Sequence, residues 1–146
     1  MDSASRLQIE HECARLIKVY CNSMDAHDVD RVVGLFAKDA VWQRPGNPPM
    51  KGHSEFRKFV ESHGPGTVSV HYVTNIVVDV VDEHHASSNA YALSFRESGS
   101  IGSLPIAMPM PRNVVHYRHE FIREGAQWYI KYKEIRFIFQ RNESRH

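Results

Sequence analysis

The stretch TVSVHYVTNIVVDVV, residues 67–81, decides the fold. β-Branched and aromatic side chains crowd it, and they suit a pleated, half-buried surface better than a helix. Alternation puts His71, Val73, Asn75 and Val77 on one face and Val70, Tyr72, Thr74 and Ile76 on the other. The chain continues in this style. After the turn DEHH (82–85), ASSNAYALSFRES (86–98) reads as a second strand. NVVHYRHEFIR (113–123), the turn EGAQ and WYIKYKEIRFIFQ (128–140) read as a hairpin. Between them, GSIGSLPIAMPMP (99–111) is a Gly/Pro/Met-rich excursion, longer than an ordinary hairpin loop.

Upstream the period changes from two to 3.6. Residues 6–24 carry Leu7, Ile9, Cys13, Leu16, Ile17, Tyr20 and Met24 at helical spacing. Asp28 is the expected N-cap of a short helix bearing Val32, Val33, Leu35 and Phe36. AVW (40–42) reads as a brief strand, and RPGNPPMKG (44–52) as a loop. SEFRKFVESH (54–63) is the expected third helix, capped by Ser54 and stopped by Gly64-Pro65. Helices first and long antiparallel strands afterwards give an α+β fold, a curved sheet with helices packed on one face.

Length and charge narrow the classes further. The 146 residues suit one domain, 1–146, with a core of about 6–140 and a short polar C-terminal tail. An apolar share of 42% and a charged share of 24% exclude disorder. Eighteen basic against seventeen acidic side chains leave +1, so no global field recruits nucleic acid or a membrane surface. No apolar run approaches the ~18 residues of a transmembrane helix. MDSASRLQIE (1–10) lacks the apolar stretch of a signal peptide. Cys13 and Cys21 stand two helical turns apart, about 12 Å, and cannot bridge. A reducing compartment, the cytoplasm, is the expected location.

Several chemistries find no foothold. There is no Gly-rich phosphate loop, GxSxG elbow, HExxH or CxxC. His116 and His119, three apart in a strand, point to opposite faces. No cofactor and no metal are therefore expected.

The remaining signals form an ordered set. Tyr20-x4-Asp25 closes the first helix, and Asp28-x7-Phe36-x2-Asp39-Ala40-Val41-Trp42 follows. Gly52 precedes the third helix, and Val70-His71-Tyr72-Val73-Thr74-Asn75 opens the strands. Tyr117-x2-Glu120-Phe121 and Trp128-Tyr129-Ile130 mark the last hairpin. Together these words resemble the SnoaL-like branch of the nuclear-transport-factor-2-like (cystatin-like) superfamily. That resemblance implies a cone-shaped curved antiparallel sheet with the three N-terminal helices on its concave face.

In chemistry the chain is most similar to the scytalone dehydratase, bile-acid dehydratase and hexachlorocyclohexane dehydrochlorinase group. These enzymes set an aspartate at the end of the first helix against a histidine on the first long strand. Asp25 and His71 match those positions. Tyr20 falls where the dehydratases carry tyrosine and the dehydrochlorinase carries lysine. Where some relatives have an acidic side chain or a histidine on the strand 86–98, this chain offers Ser94. The arginine of the last strand matches Lys133 or Arg136. The implied activity is that of a cofactor-independent lyase or isomerase, dehydration first, on a small, apolar, polyketide- or steroid-like molecule.

Elementary chemistry supports the pair independently. Histidine is the best side-chain proton acceptor near neutrality. A carboxylate on its other ring nitrogen fixes the tautomer and stabilises the imidazolium that forms. Tyr20 or a cation would serve the leaving group. Strict alternation from Trp128 and Ile130 puts Arg136 on the inward face and Lys133 on the other. The expected catalytic set is thus His71, Asp25, Tyr20 and Arg136, with Trp42, Asn75, Ser94, Phe95, Met108 and His116 on the pocket wall. A hydrophobic-ligand carrier and a structural small subunit, like that of aromatic-ring dioxygenases, are the competing classes. Phe137, Ile138 and Phe139 make both faces of the last strand apolar, so a homo-oligomer, dimer or trimer, is expected.

Overall fold

The computed structural model of the chain describes residues 1–64, 66–99 and 101–142. Pro65, at the expected stop of the third helix, Ser100 and the tail residues 143–146 lie outside the described residues. Helix α1 runs Ser3–Asp25, opened by Asp2, whose carboxylate accepts the Ser5 N–H at 2.7 Å. Helix α2 (Val29–Gly34) starts after Asp28, which accepts the Arg31 N–H at 3.2 Å, as expected of that N-cap. Strands β1 (Phe36–Gln43) and β2 (Met50–Lys51) follow, then α3 (Gly52–Ser62). The long strands are β3 (Thr67–Val80), β4 (His85–Ser98), β5 (Asn113–Glu124) and β6 (Gln127–Gln140).

Ser54 does not cap α3. The helix begins two residues earlier, behind Lys51, whose N–H donates to the Glu55 carboxylate at 2.7 Å. Gly52 makes this start with φ of 78°, and a Cβ there would stand 3.4 Å from the Lys38 carbonyl oxygen. Left-handed backbone costs a residue with a Cβ about 1–2 kcal/mol. Gly52→Ala should therefore lower stability by about that amount in urea unfolding, with an unchanged slope.

The six strands are ordered β2-β1-β6-β5-β4-β3. The sheet is curved, and it is mixed rather than wholly antiparallel, because β1 pairs parallel with β6. The brief strand expected at 40–42 extends over eight residues because β6 supplies that neighbour. The helices cover one face: α1 lies against β3, and α3 against β1.

Among the register shifts of the sheet, two bear on the expected site. On β6, Ile130 pairs with Phe121 and Tyr132 with Glu120, leaving Lys131 unpaired. On β3 the register shifts between Thr74 and Val77, and Asn75 there takes a φ of 53°. One extra residue flips every side chain beyond it to the opposite face. The core therefore receives Trp128 and Ile130 but then Lys133 from β6, beside Val115, Tyr117, His119 and Phe121 from uninterrupted β5. Its centre is aromatic, with Phe36 stacked on Trp42 at 5.5 Å and Tyr20 edge-on to Trp42 at 5.6 Å.

Candidate active site

Asp25 is the last residue of α1, and the turn after it is pinned to the start of β3. His27, at φ of 55°, has its Nε2 2.8 Å from the Thr67 carbonyl oxygen. The carboxylate of Asp25 therefore lies along the first residues of β3. Its Oδ2 accepts the backbone N–H of His71 at 2.8 Å, and its Oδ1 accepts the Ser69 hydroxyl at 2.9 Å. Nδ1 of His71 donates to Oδ1 at 2.5 Å. A carboxylate only accepts, so this contact puts the proton on Nδ1 and leaves a lone pair on Nε2. Both side chains keep 19% of their surface exposed, enough to be reached from a cavity and too little for full hydration.

That cavity measures about 240 Å³. Tyr20, Trp42, Phe59, His71, Ser94 and Tyr117 are among the residues on its wall. Ser94 sits directly across from His71 in the β3–β4 register and donates its hydroxyl to Asn113 Oδ1 at 2.8 Å. Phe95 also reaches the cavity, while its ring stands edge-on to Tyr72 at 6.1 Å. Burial, then the neighbouring Tyr117, Cys21 and Asp25, push the Tyr20 phenol well above its ordinary value, so it stays protonated as a donor.

Of the expected site, Asp25, His71, Tyr20, Trp42, Ser94 and Phe95 come together; four residues do not. Arg136 is exposed, because the Lys131 bulge reverses the faces of β6. Asn75 is exposed because its own bulge turns it away from the His71 face. Met108 is 80% exposed in the excursion, off the cavity wall. His116 is on the outer face, its ring 5.9 Å from that of Tyr91.

Lys133 takes the inward position instead and is fully buried. Its Nζ lies 3.2 Å from His119 Nε2, 3.5 Å from the Tyr117 ring centroid and 4.1 Å from that of Tyr20. Burial pushes the amine down to about 7. His119 is pushed well below its usual range by burial and then by Lys133. Sequence reasoning also missed Ser69, although its place two residues before His71 was a usable signal. Among the described residues, no group of three or more His, Cys, Asp or Glu side chains is arranged to hold a metal ion.

A family model described as a SnoaL-like domain matches residues 5–134. The chain belongs to the SnoaL-like family. This SnoaL-like chain superposes on a candidate scytalone dehydratase of Novosphingobium aromaticivorans with a TM-score of 0.84 and 18% identity, over 99% of this chain and 94% of that one. A hexachlorocyclohexane dehydrochlorinase from Novosphingobium barchaimii gives 0.80 and 17%, over 96% and 93%. A protein of unknown function with a cystatin-like fold from Nostoc punctiforme gives 0.73 and 16%, over 94% and 93%. At these identities the likeness is one of fold. No curated protein sequence is significantly similar to the chain.

Proposed function

We propose that the chain is a cofactor-independent lyase or isomerase, with dehydration as its leading reaction. The observation that carries this reading is His71 on the wall of a cavity with Asp25 bonded to its Nδ1. Nε2 of His71 takes a carbon-bound proton, and the released electron pair forms the new carbon–carbon double bond. Asp25 stays ionised and holds the imidazolium. The departing oxygen leaves as water, receiving the proton that His71 took, with the Tyr20 hydroxyl donating a hydrogen bond to it meanwhile. Similarity in fold to the dehydratase- and dehydrochlorinase-named proteins supports the same reaction class.

The cavity also sets the size of the substrate. An apolar cavity of about 150 Å³ holds benzene, so about 240 Å³ has room for one substituted ring. Incubation with a panel of monocyclic β-hydroxy carbonyl compounds in D₂O tests the proposal. Elimination or deuterium uptake at the carbon next to the carbonyl is expected. Tight binding of panel members without either would overturn it in favour of a ligand carrier.

The same reading covers setting and assembly. The core of about 6–140 is taken as one domain. The two free, buried cysteines support a reducing compartment such as the cytoplasm. On the helix-free face, Tyr72, Leu93, Val114 and Phe139 pair in one row across four strands. Tyr72 and Phe139 are 60% and 69% exposed, and such a row supports docking of a second copy. Sedimentation at micromolar concentration should show a dimer or trimer, and a strict monomer would remove this part. No helix among the described residues is long and apolar enough to cross a membrane.

A further inference from the structure

A second imidazole on the cavity wall is held in one tautomer. His63 closes α3, and its Nδ1 lies 2.8 Å from the Phe59 carbonyl oxygen. Phe59 belongs to the last turn of α3, where carbonyls lack partners within the helix and side chains take them up. The Ser62 hydroxyl donates to the same oxygen at 2.6 Å. A carbonyl only accepts, so Nδ1 of His63 carries the proton and Nε2, on the far side of the ring, keeps a lone pair. Closing the helix uses Nδ1 alone. Among the described residues Nε2 has no hydrogen-bond partner.

This lone pair persists at neutral pH. Burial holds the ring's basicity below its usual 6.5; the Phe59 bond works the other way, and Arg96, Arg44 and Arg112 add to the lowering. Other polar groups on the wall are engaged. Ser69 and His71 both donate to Asp25, the carboxylate directly behind them, and Ser94 donates to Asn113. The place of His63 matters as much. Its ring meets Phe59 at 4.4 Å, and Phe59 meets Trp42 of β1 at 5.0 Å. His71 stands on β3, three strands beyond β1 in the sheet. Two imidazole lone pairs therefore reach one cavity from different sides.

We propose that Nε2 of His63 accepts a hydroxyl at the far end of a ring whose reactive carbon faces His71. The ligand class is a hydroxylated cyclic ketone. The donor is a neutral hydroxyl and not an ammonium group, because the Arg44 guanidinium lies 4.0 Å above the same Phe59 ring and repels a second cation. The reading rests on the cavity being the substrate site, and it adds one substituent remote from the reacting carbon. An analogue without that donor leaves the lone pair half-buried and unpaired, which a site of this kind penalises.

The test compares hydroxycyclohexanone with methylcyclohexanone, each substituted opposite the carbonyl, by calorimetry on the whole chain. The methyl group has a similar size and cannot donate. The hydroxy compound should bind at least about fivefold tighter, and it alone should shift the Nε2 resonance of His63 upfield in nitrogen NMR. His63→Phe keeps a ring against Phe59, and Ser62 still serves the carbonyl. That variant should bring the two affinities within about twofold of each other, with methylcyclohexanone binding unchanged. Equal affinities in the wild type, a preference retained by His63→Phe, or failure of both ketones to bind at millimolar concentration would each overturn the proposal. Should His63→Phe not fold, the wild-type resonance decides: unmoved by the hydroxy compound, it overturns the proposal as well. Deuterium uptake next to the carbonyl of both ketones at equal affinity would remove this reading and keep the lyase. A hydroxyl preference without uptake or elimination would do the reverse.

Discussion

Replacing His71 with alanine should cut turnover by about 10²–10⁴-fold, the range a positioned general base contributes, and leave the unfolding temperature within a few degrees of the wild type. The side chain is only partly buried, and among the described residues its side-chain bond is to Asp25, so little packing is lost. Asp25→Asn should fall by a comparable factor for a different reason. The amide keeps the shape, but if its NH₂ faces the imidazole, Nδ1 must accept and Nε2 then carries the proton. The base is present and in the wrong tautomer. Asp25→Ala separates role from scaffold: it also strands the His71 N–H and the Ser69 hydroxyl and should cost about 1–3 kcal/mol in stability. Full activity in His71→Ala or in Asp25→Asn would remove the mechanism.

The sequence shows this pair because each half is fixed by local rules. Alternation over 67–74 runs unbroken and sets His71 inward. The helix must end before Asp28, which leaves Asp25 at a helix terminus where its carboxylate can leave the helical register. What the sequence hides is governed by non-local pairing. WYIKYKEIRFIFQ contains no Gly or Pro to announce the bulge at Lys131, which exists only because β6 must match β5 on one side and β1 on the other. Strict period-two counting therefore chooses Arg136, and the folded chain chooses Lys133. Asn75 did carry a signal. Asparagine tolerates left-handed backbone, and its presence amid β-branched neighbours marks where β3 slips register. Met108 belongs to an excursion whose course is set by tertiary contacts, and composition alone does not say whether it folds over the cavity. Arg44 begins a Pro/Gly-rich loop in the sequence, so it reads as solvated; only the depth of Trp42 two residues earlier draws it inside.

Lys133→Met should stabilise the protein at pH 7 and lose that advantage as the pH rises to 10. The native amine sits at about 7, against 10.5 for an ordinary lysine, because burial penalises its charged form. The aromatic faces of Tyr20 and Tyr117 offset part of that penalty but not the whole. The sign follows from proton counts. Between about 7 and 10.5 the unfolded chain binds a proton at this position and the folded chain does not, so wild-type stability rises with pH across that window. Below about 7 the cost is fully present. At pH 7 it comes to roughly 4 kcal/mol by linkage. Methionine fills a similar volume with no charge to desolvate, but it leaves His119 Nε2 without its partner, at about 1–3 kcal/mol. The difference is a net gain of about 1–3 kcal/mol at pH 7, turning to a loss near pH 10, where lysine is neutral when folded and about one quarter neutral when unfolded. Urea unfolding of both proteins at pH 7, 8, 9 and 10 checks this, and the window avoids the titration of His119, which adds its own destabilisation below its ordinary 6.5. Parallel stability curves for wild type and Lys133→Met would mean that the ammonium is not desolvated at all. The aromatic box would then be holding a full positive charge beneath the cavity throughout the physiological range.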